Sequence, residues 1–140
     1  MSSVKVSSEV LFNVIGREKN NNGADFTIRS VSSGKDYTYQ ISRKSFNGKW
    51  YTHVRVEMGY LQFTYLGTYF NGAIWRKSIK IDTPSAVAIA FVLKRVEDKD
   101  FSWLDERVDV MHKGHCLVCG KALTDANSIE RGLGPVCANY

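Results

Sequence analysis

The 140-residue chain has no apolar run long enough to cross a bilayer. Its longest, Ala86 to Leu93, falls far short of the roughly 20 residues that a spanning helix needs. The first residues lack a basic stretch leading into an apolar one, so a cytoplasmic location is expected, without membrane association. Only 2 prolines, and no internal repeat or low-complexity tract beyond three consecutive asparagines, exclude a disordered polymer or a repeat array. Cysteine is equally scarce. There are 3, all after residue 115, and an odd number in a reducing compartment argues against a disulfide framework and for metal binding or reactive thiols. No G-x-S-x-G, P-loop, paired acidic motif or H-E-x-x-H occurs, and the expectation is that the protein is not an enzyme.

Acidic residues are sparse through most of the chain and concentrated in one belt. Residues 1–96 hold 14 Lys+Arg against 6 Asp+Glu, residues 97–111 hold 2 against 6, and residues 112–140 hold 3 against 2. This division suggests a basic α+β body (1–96), an acidic connector (97–111) anchored by Phe101, Trp103 and Leu104, and a C-terminal finger (112–140). A basic body makes a polyanion a reasonable partner, although surplus lysine also serves solubility.

Near the start, Ser8 can cap a short helix carrying Leu11, Phe12 and Ile15 and ended by Gly16. A strand through Val10, Phe12 and Val14 fits as well. From Asp25 to Ile81 apolar and polar residues alternate, and Asn47-Gly48 and Asn71-Gly72 supply the positive φ of tight hairpins. About five antiparallel strands are expected, the last from Ile74 to Ile81. Thr83-Pro84 opens a helix whose buried stripe is expected to be Val87, Ala90, Phe91 and Leu93, with Lys94 and Arg95 near its C-terminal end. That helix should cover one face of the sheet and leave the other open to solvent or ligand.

The tail carries His112, His115, Cys116, Cys119 and Cys137. Two cysteines with two residues between them, followed by Gly120, form a knuckle that aims both thiolates at one Zn²⁺, and Cys137 follows Gly132, Gly134 and Pro135 into a first helical turn. Three thiolates need a fourth ligand. His112 is the expected one, because His115 immediately precedes Cys116 and would have to fold back awkwardly. A segment this short is below the size at which an apolar core suffices, whereas structural zinc supplies on the order of 10 kcal/mol in small fingers. A catalytic zinc with an open water and Glu130 as base, or three unmetallated thiols, are the alternatives.

The stretch Cys116, Cys119, Gly120, Leu123, Thr124, Asp125, Ser128, Ile129, Gly132, Gly134, Pro135, Cys137 resembles the C-terminal motif of an uncharacterised family of small phage and bacterial proteins, C-x-x-C-G-R-x-L-T-D-P-x-S-I-x-x-G-x-G-P-x-C. That family commonly has a histidine four places before the first cysteine, at the position of His112. The likeness extends forward to Phe26-Thr27, Tyr37 to Tyr39, Phe63 to Gly67 and the helix after Pro84. Lys121 for arginine and Ala126 for proline depart from the motif. The resemblance implies a zinc-binding phage or mobile-element protein, of treble-clef or knuckle type in its finger, working in the host cytoplasm, and brings no activity with it.

Arg43, Lys44, Lys49, Arg55, Arg76, Lys77 and Lys80 fall in the strand region among Trp50, Tyr51, Tyr60, Tyr65, Tyr69, Phe70 and Trp75. Cations for phosphates and flat rings for bases are what binders of single-stranded DNA or RNA combine, so these residues, with Trp75, are the expected nucleic-acid surface. Many of the rings must also fill the core. The competing expectation is a protein-binding inhibitor or adaptor acting on a host or anti-phage defence component, with the acidic belt, Trp103 or Trp75 as contact points.

Overall fold

The structure, a computed structural model, describes residues 3–138. Its elements in chain order are β1 (Val4–Val6), α1 (Glu9–Ile15), β2 (Asn21–Asn22), β3 (Phe26–Ser30), β4 (Asp36–Phe46), β5 (Lys49–Gly59), β6 (Gln62–Phe70), β7 (Ala73–Arg76), β8 (Ile79–Ile81), α2 (Pro84–Glu97), α3 (Phe101–Asp105), β9 (Val108–His112), α4 (Ala126–Arg131) and α5 (Pro135–Ala138). The class is mixed α and β, built on one nine-stranded antiparallel sheet in the order β1-β9-β3-β4-β5-β6-β7-β8, with β2 pairing the far half of β4.

Strands β3 to β8 form a meander of six strands rather than five. Asn47-Gly48 (φ 52° and 76°) and Asn71-Gly72 (44° and 84°) make the anticipated tight turns. The extra turn is at Lys77-Ser78, where two non-glycine residues adopt φ of 50° and 65° and split the expected Ile74–Ile81 strand into β7 and β8. Neither the glycine nor the asparagine that marks the other two turns announces it.

Alternation places Phe26, Ile28, Tyr39, Ile41, Val54 and Val56 on one face, all buried, beneath α1 and α2. Thr83 caps α2 as expected, its Oγ1 accepting the Ala86 N–H (3.4 Å), and Tyr39 Oη donates to the Ser85 carbonyl (2.7 Å). The buried stripe of α2 is Ala86, Ile89, Ala90, Val92, Leu93 and Val96. Val87 and Phe91, expected inside, are 53% and 43% exposed, since the apolar residues run most of the way round this helix and only the sheet decides which arc is covered.

The N-terminal segment is helical, yet Ser8 does not cap α1. Ser7 Oγ accepts the Glu9 N–H (3.2 Å), and Asp105 accepts both the Ser8 N–H (2.7 Å) and the Ser7 hydroxyl (2.8 Å). A carboxylate from 98 residues away thus sits at the positive end of α1.

Residues 97–111, expected as a connector, instead finish α2, form α3 and supply β9, which lies between β1 and β3 in the sheet. Its Asp109 pairs with Lys5 (2.9 Å) and Arg29 (3.2 Å), and the Lys5 hydrogen bond, followed by that of Arg29, holds its carboxyl below the usual range. Trp103 is half-buried, with the Arg95 guanidinium 4.4 Å and the Arg107 guanidinium 4.0 Å from its ring centroid. It is not the free contact point anticipated.

Candidate metal centre and open sheet face

The metal site begins with a backbone knuckle. Cys116 N–H donates to Lys121 O and Gly120 N–H to Cys116 O (both 2.8 Å), while His115 bridges Ala122 and Leu123 N–H donates to Gly114 O (2.8 Å). The third cysteine comes from α5. Asp125 caps α4 by accepting the Ser128 N–H (3.1 Å), Gly132 ends that helix at φ 78°, and Leu117 N–H donates to Gly132 O (3.1 Å), which brings the chain back over the knuckle and into α5. The motif residues between the cysteines are therefore mainly helix punctuation.

The sulfurs of Cys116, Cys119 and Cys137 all lie within 4.8 Å of one another. A tetrahedral ion with metal–sulfur bonds of about 2.3 Å sets its ligands roughly 3.8 Å apart, so the cluster fits one thiophilic ion after small adjustments. The electrostatics agree. Burial pushes the Cys116 thiol up, but backbone N–H groups of Cys119, Gly134 and Val118 outweigh it and bring the thiol below its ordinary value. Cys137 is pushed up to about 12 by burial and by the two neighbouring sulfurs. Three sulfurs this close cannot all ionise without a cation among them.

His112, expected as the fourth ligand, is otherwise engaged. It ends β9 and is fully buried; its Nδ1 accepts the Gly114 N–H (2.9 Å), which leaves Nε2–H to donate to the Ile129 carbonyl (2.6 Å). Neither nitrogen keeps a lone pair for a metal. The ring is a strut between the sheet and α4. Among the described residues no imidazole or carboxylate joins the three sulfurs; His115 and Glu130 stand outside the group. His112→Ala is accordingly expected to keep its metal while losing about 1–3 kcal/mol of stability for each buried group left unpaired, as metal analysis beside denaturant unfolding would show.

The finger also has more core than its sequence suggested. Leu117, Val118, Leu123 and Leu133 are buried in the same cluster as Phe26, Ile28 and Val110. At Gly23, between β2 and β3, the knuckle comes so close that a Cβ would stand 2.4 Å from the Leu117 carbonyl oxygen.

The sheet face opposite the helices is divided by charge. Toward β1, β9 and β3, Lys5 and Arg29 share the carboxylate of Asp109. Toward β4 to β8, registry aligns Ser42, His53, Thr68, Trp75 and Lys80 in one row, with Gln40, Arg55 and Tyr65 beside it and Lys44 opposite Tyr51. Lys44, Arg55, Tyr65, Trp75 and Lys80 are exposed, and no ion pair among the described residues involves these three cations. His53 Nδ1 lies 3.0 Å from Tyr65 Oη, and burial, then Lys44 and Arg55, push the imidazole below its ordinary value.

The other expected cations lie elsewhere. Arg43 alternates to the helix-covered face, where it donates to the Arg17 carbonyl (2.8 Å) and to Thr52 Oγ1 (2.7 Å) and is not part of the open surface. Lys49 opens β5 beside the Asn47-Gly48 turn, Arg76 alternates away from Trp75, and Lys77 occupies the β7–β8 turn. Tyr65 was among the expected rings, and His53, expected as a surface or packed strand residue, stands beside it; Thr68 had not been singled out, because a one-residue register shift after Val54 hid it.

No curated protein and no solved structure matches the chain. Residues 107–140, which hold all of the sheet strand β9, the knuckle and the third cysteine, match the family of unknown function DUF6011.

Proposed function

We propose that this protein binds single-stranded nucleic acid, DNA or RNA, on the open face of β4 to β8, and that a structural Zn²⁺ on Cys116, Cys119 and Cys137 holds a treble-clef-like finger against the sheet. The observation that carries the reading is the gathering of Lys44, Arg55 and Lys80 with Tyr65 and Trp75 on one uncovered face, the cations without carboxylate partners among the described residues. Phosphates neutralise such cations and bases stack on such rings in a sequence-tolerant way. The chain works by binding rather than catalysis. On the strength of its tail resemblance we read it as a phage or mobile-element accessory protein that acts in the host cytoplasm.

Charge reversal at Lys44 and Arg55 together is expected to weaken oligonucleotide binding and to reduce the slope of log K against log salt by about 1.4, two phosphates at roughly 0.7 each. Reversal at Arg76 and Lys77, off the main row, should do less. Equal effects from the two pairs, in fluorescence anisotropy across a salt series, would remove the open face from the argument.

One observation favours a protein partner instead. The β5–β6 tip exposes Met58 (72%), Tyr60 (87%) and Leu61 (63%), an apolar surface suited to an inhibitor or adaptor. Recovery of a single host protein after nuclease treatment, lost in Tyr60→Ser, would support that reading.

A further inference from the structure

We infer that the polar groove between β2 and the Lys44–Arg55 pair is a phosphate-binding subsite, one wall of which is set by the metal knuckle. This inference rests on the reading of the open face as a nucleic-acid surface and names the part that takes the backbone phosphate.

The groove has a volume of about 600 Å³ and is lined by Asn22, Gln40, Ser42, Lys44, His53 and Arg55, with Tyr65 at one side. No Asp or Glu lines it among the described residues. Two cations and several neutral hydrogen-bonding side chains without an acid is a composition that suits an oxyanion and penalises a cation. Lys44 and Arg55 both act on the His53 imidazole, so their charges converge on the same space. His53 is held by the contact of Nδ1 with Tyr65 Oη (3.0 Å) and Thr68 Oγ1 (3.4 Å), which leaves Nε2 for a ligand. Exposed aromatic positions continue from the groove across the sheet, from Tyr65 to Trp75, where a base attached to that phosphate can stack.

The remaining wall is Asn22-Gly23. It is held from two sides: by β4, whose Ile41 O accepts the Gly23 N–H (3.1 Å), and by the finger, where a Cβ on Gly23 would meet Leu117 O and one on Gly120 would stand 3.3 Å from Asn22 O. The segment from Cys116 to Gly120 thus presses on the strand that bounds the groove. A metal that orders the knuckle fixes this wall, and by linkage the anion and the metal favour each other's binding.

The test uses the full, zinc-loaded chain titrated with inorganic phosphate at constant ionic strength set with chloride, followed by the NMR resonances of the His53 ring. The expected result is a saturable shift, with affinity reduced at least tenfold in Lys44→Ala/Arg55→Ala and reduced also after chelation. A shift that does not saturate, or that chloride reproduces, overturns the subsite. A parallel arm measures a 12-nucleotide oligothymidine. Oligonucleotide binding that the double substitution leaves unchanged defeats the subsite and keeps the wider reading. Saturable phosphate binding without oligonucleotide binding keeps the subsite and defeats that reading.

Discussion

Cys119→Ser is expected to strip the chain of its metal and to release the finger while the strands β4 to β6 stay folded. A serine hydroxyl does not ionise in the range where a thiolate does, so two sulfurs would remain of a set already short of four protein ligands among the described residues. Structural zinc contributes on the order of 10 kcal/mol in isolated finger peptides. Here the loss is softened, because Leu117, Val118, Leu123 and Leu133 are anchored in the common core, each worth about 1.5–3 kcal/mol when buried. The expected signature is a fall from one metal per chain to none by elemental analysis. Hydrogen exchange should show protection lost at Cys116, Gly120 and Leu123 and kept at Val54 and Val56. A variant that still holds one equivalent of metal would show that Cys119 is not a ligand.

Gly23→Val is expected to detach the knuckle by a different route, with every metal ligand intact. The new Cβ would stand 2.4 Å from the Leu117 carbonyl oxygen and 2.9 Å from that of Ile41, and both are backbone atoms held by the sheet and the finger, so neither can swing aside. Overpacking of this kind costs about 1–3 kcal/mol, or roughly 4–12 °C in Tm for a chain of this size. Gly34→Ala provides the contrast. There φ is +73° but a Cβ meets nothing within 4 Å, so only backbone strain of about 1 kcal/mol is at stake. If the two substitutions lower Tm equally, close packing of the knuckle on β2–β3 is not what holds the finger in place.

The differences between expectation and structure have one origin in most cases. Spacing reports what a residue can reach, and burial or pairing decides what it does reach. His112 stands at a plausible ligand distance in sequence, but as the last residue of an interior strand it meets Gly114 and Ile129 first. Arg43 belongs to a basic run with Lys44, yet the period of two sends these neighbours to opposite faces. The acidic belt was expected to be a connector anchored by Phe101, Trp103 and Leu104, and those three do pack on the core, but not all of its charges are left to solvent. Asp105 meets the N-terminus of α1 and Asp109 meets Lys5 and Arg29, all partners from the far end of the chain.

Local patterns in the sequence were enough for the features that local chemistry governs: the Asn-Gly hairpins, the Thr83-Pro84 start of α2, the alternating strands and the grouping of three cysteines around a knuckle. Turn conformation, capping and thiolate spacing are settled within a few residues, so they are written in consecutive positions. Tertiary structure alone decided that β9 enters the sheet beside β3, that the finger shares the body's core, and that Lys44, Arg55, Tyr65 and Trp75 come to one face. Those outcomes depend on register between strands far apart in the chain and on which arc of a helix the sheet covers, and no short window of sequence contains both partners.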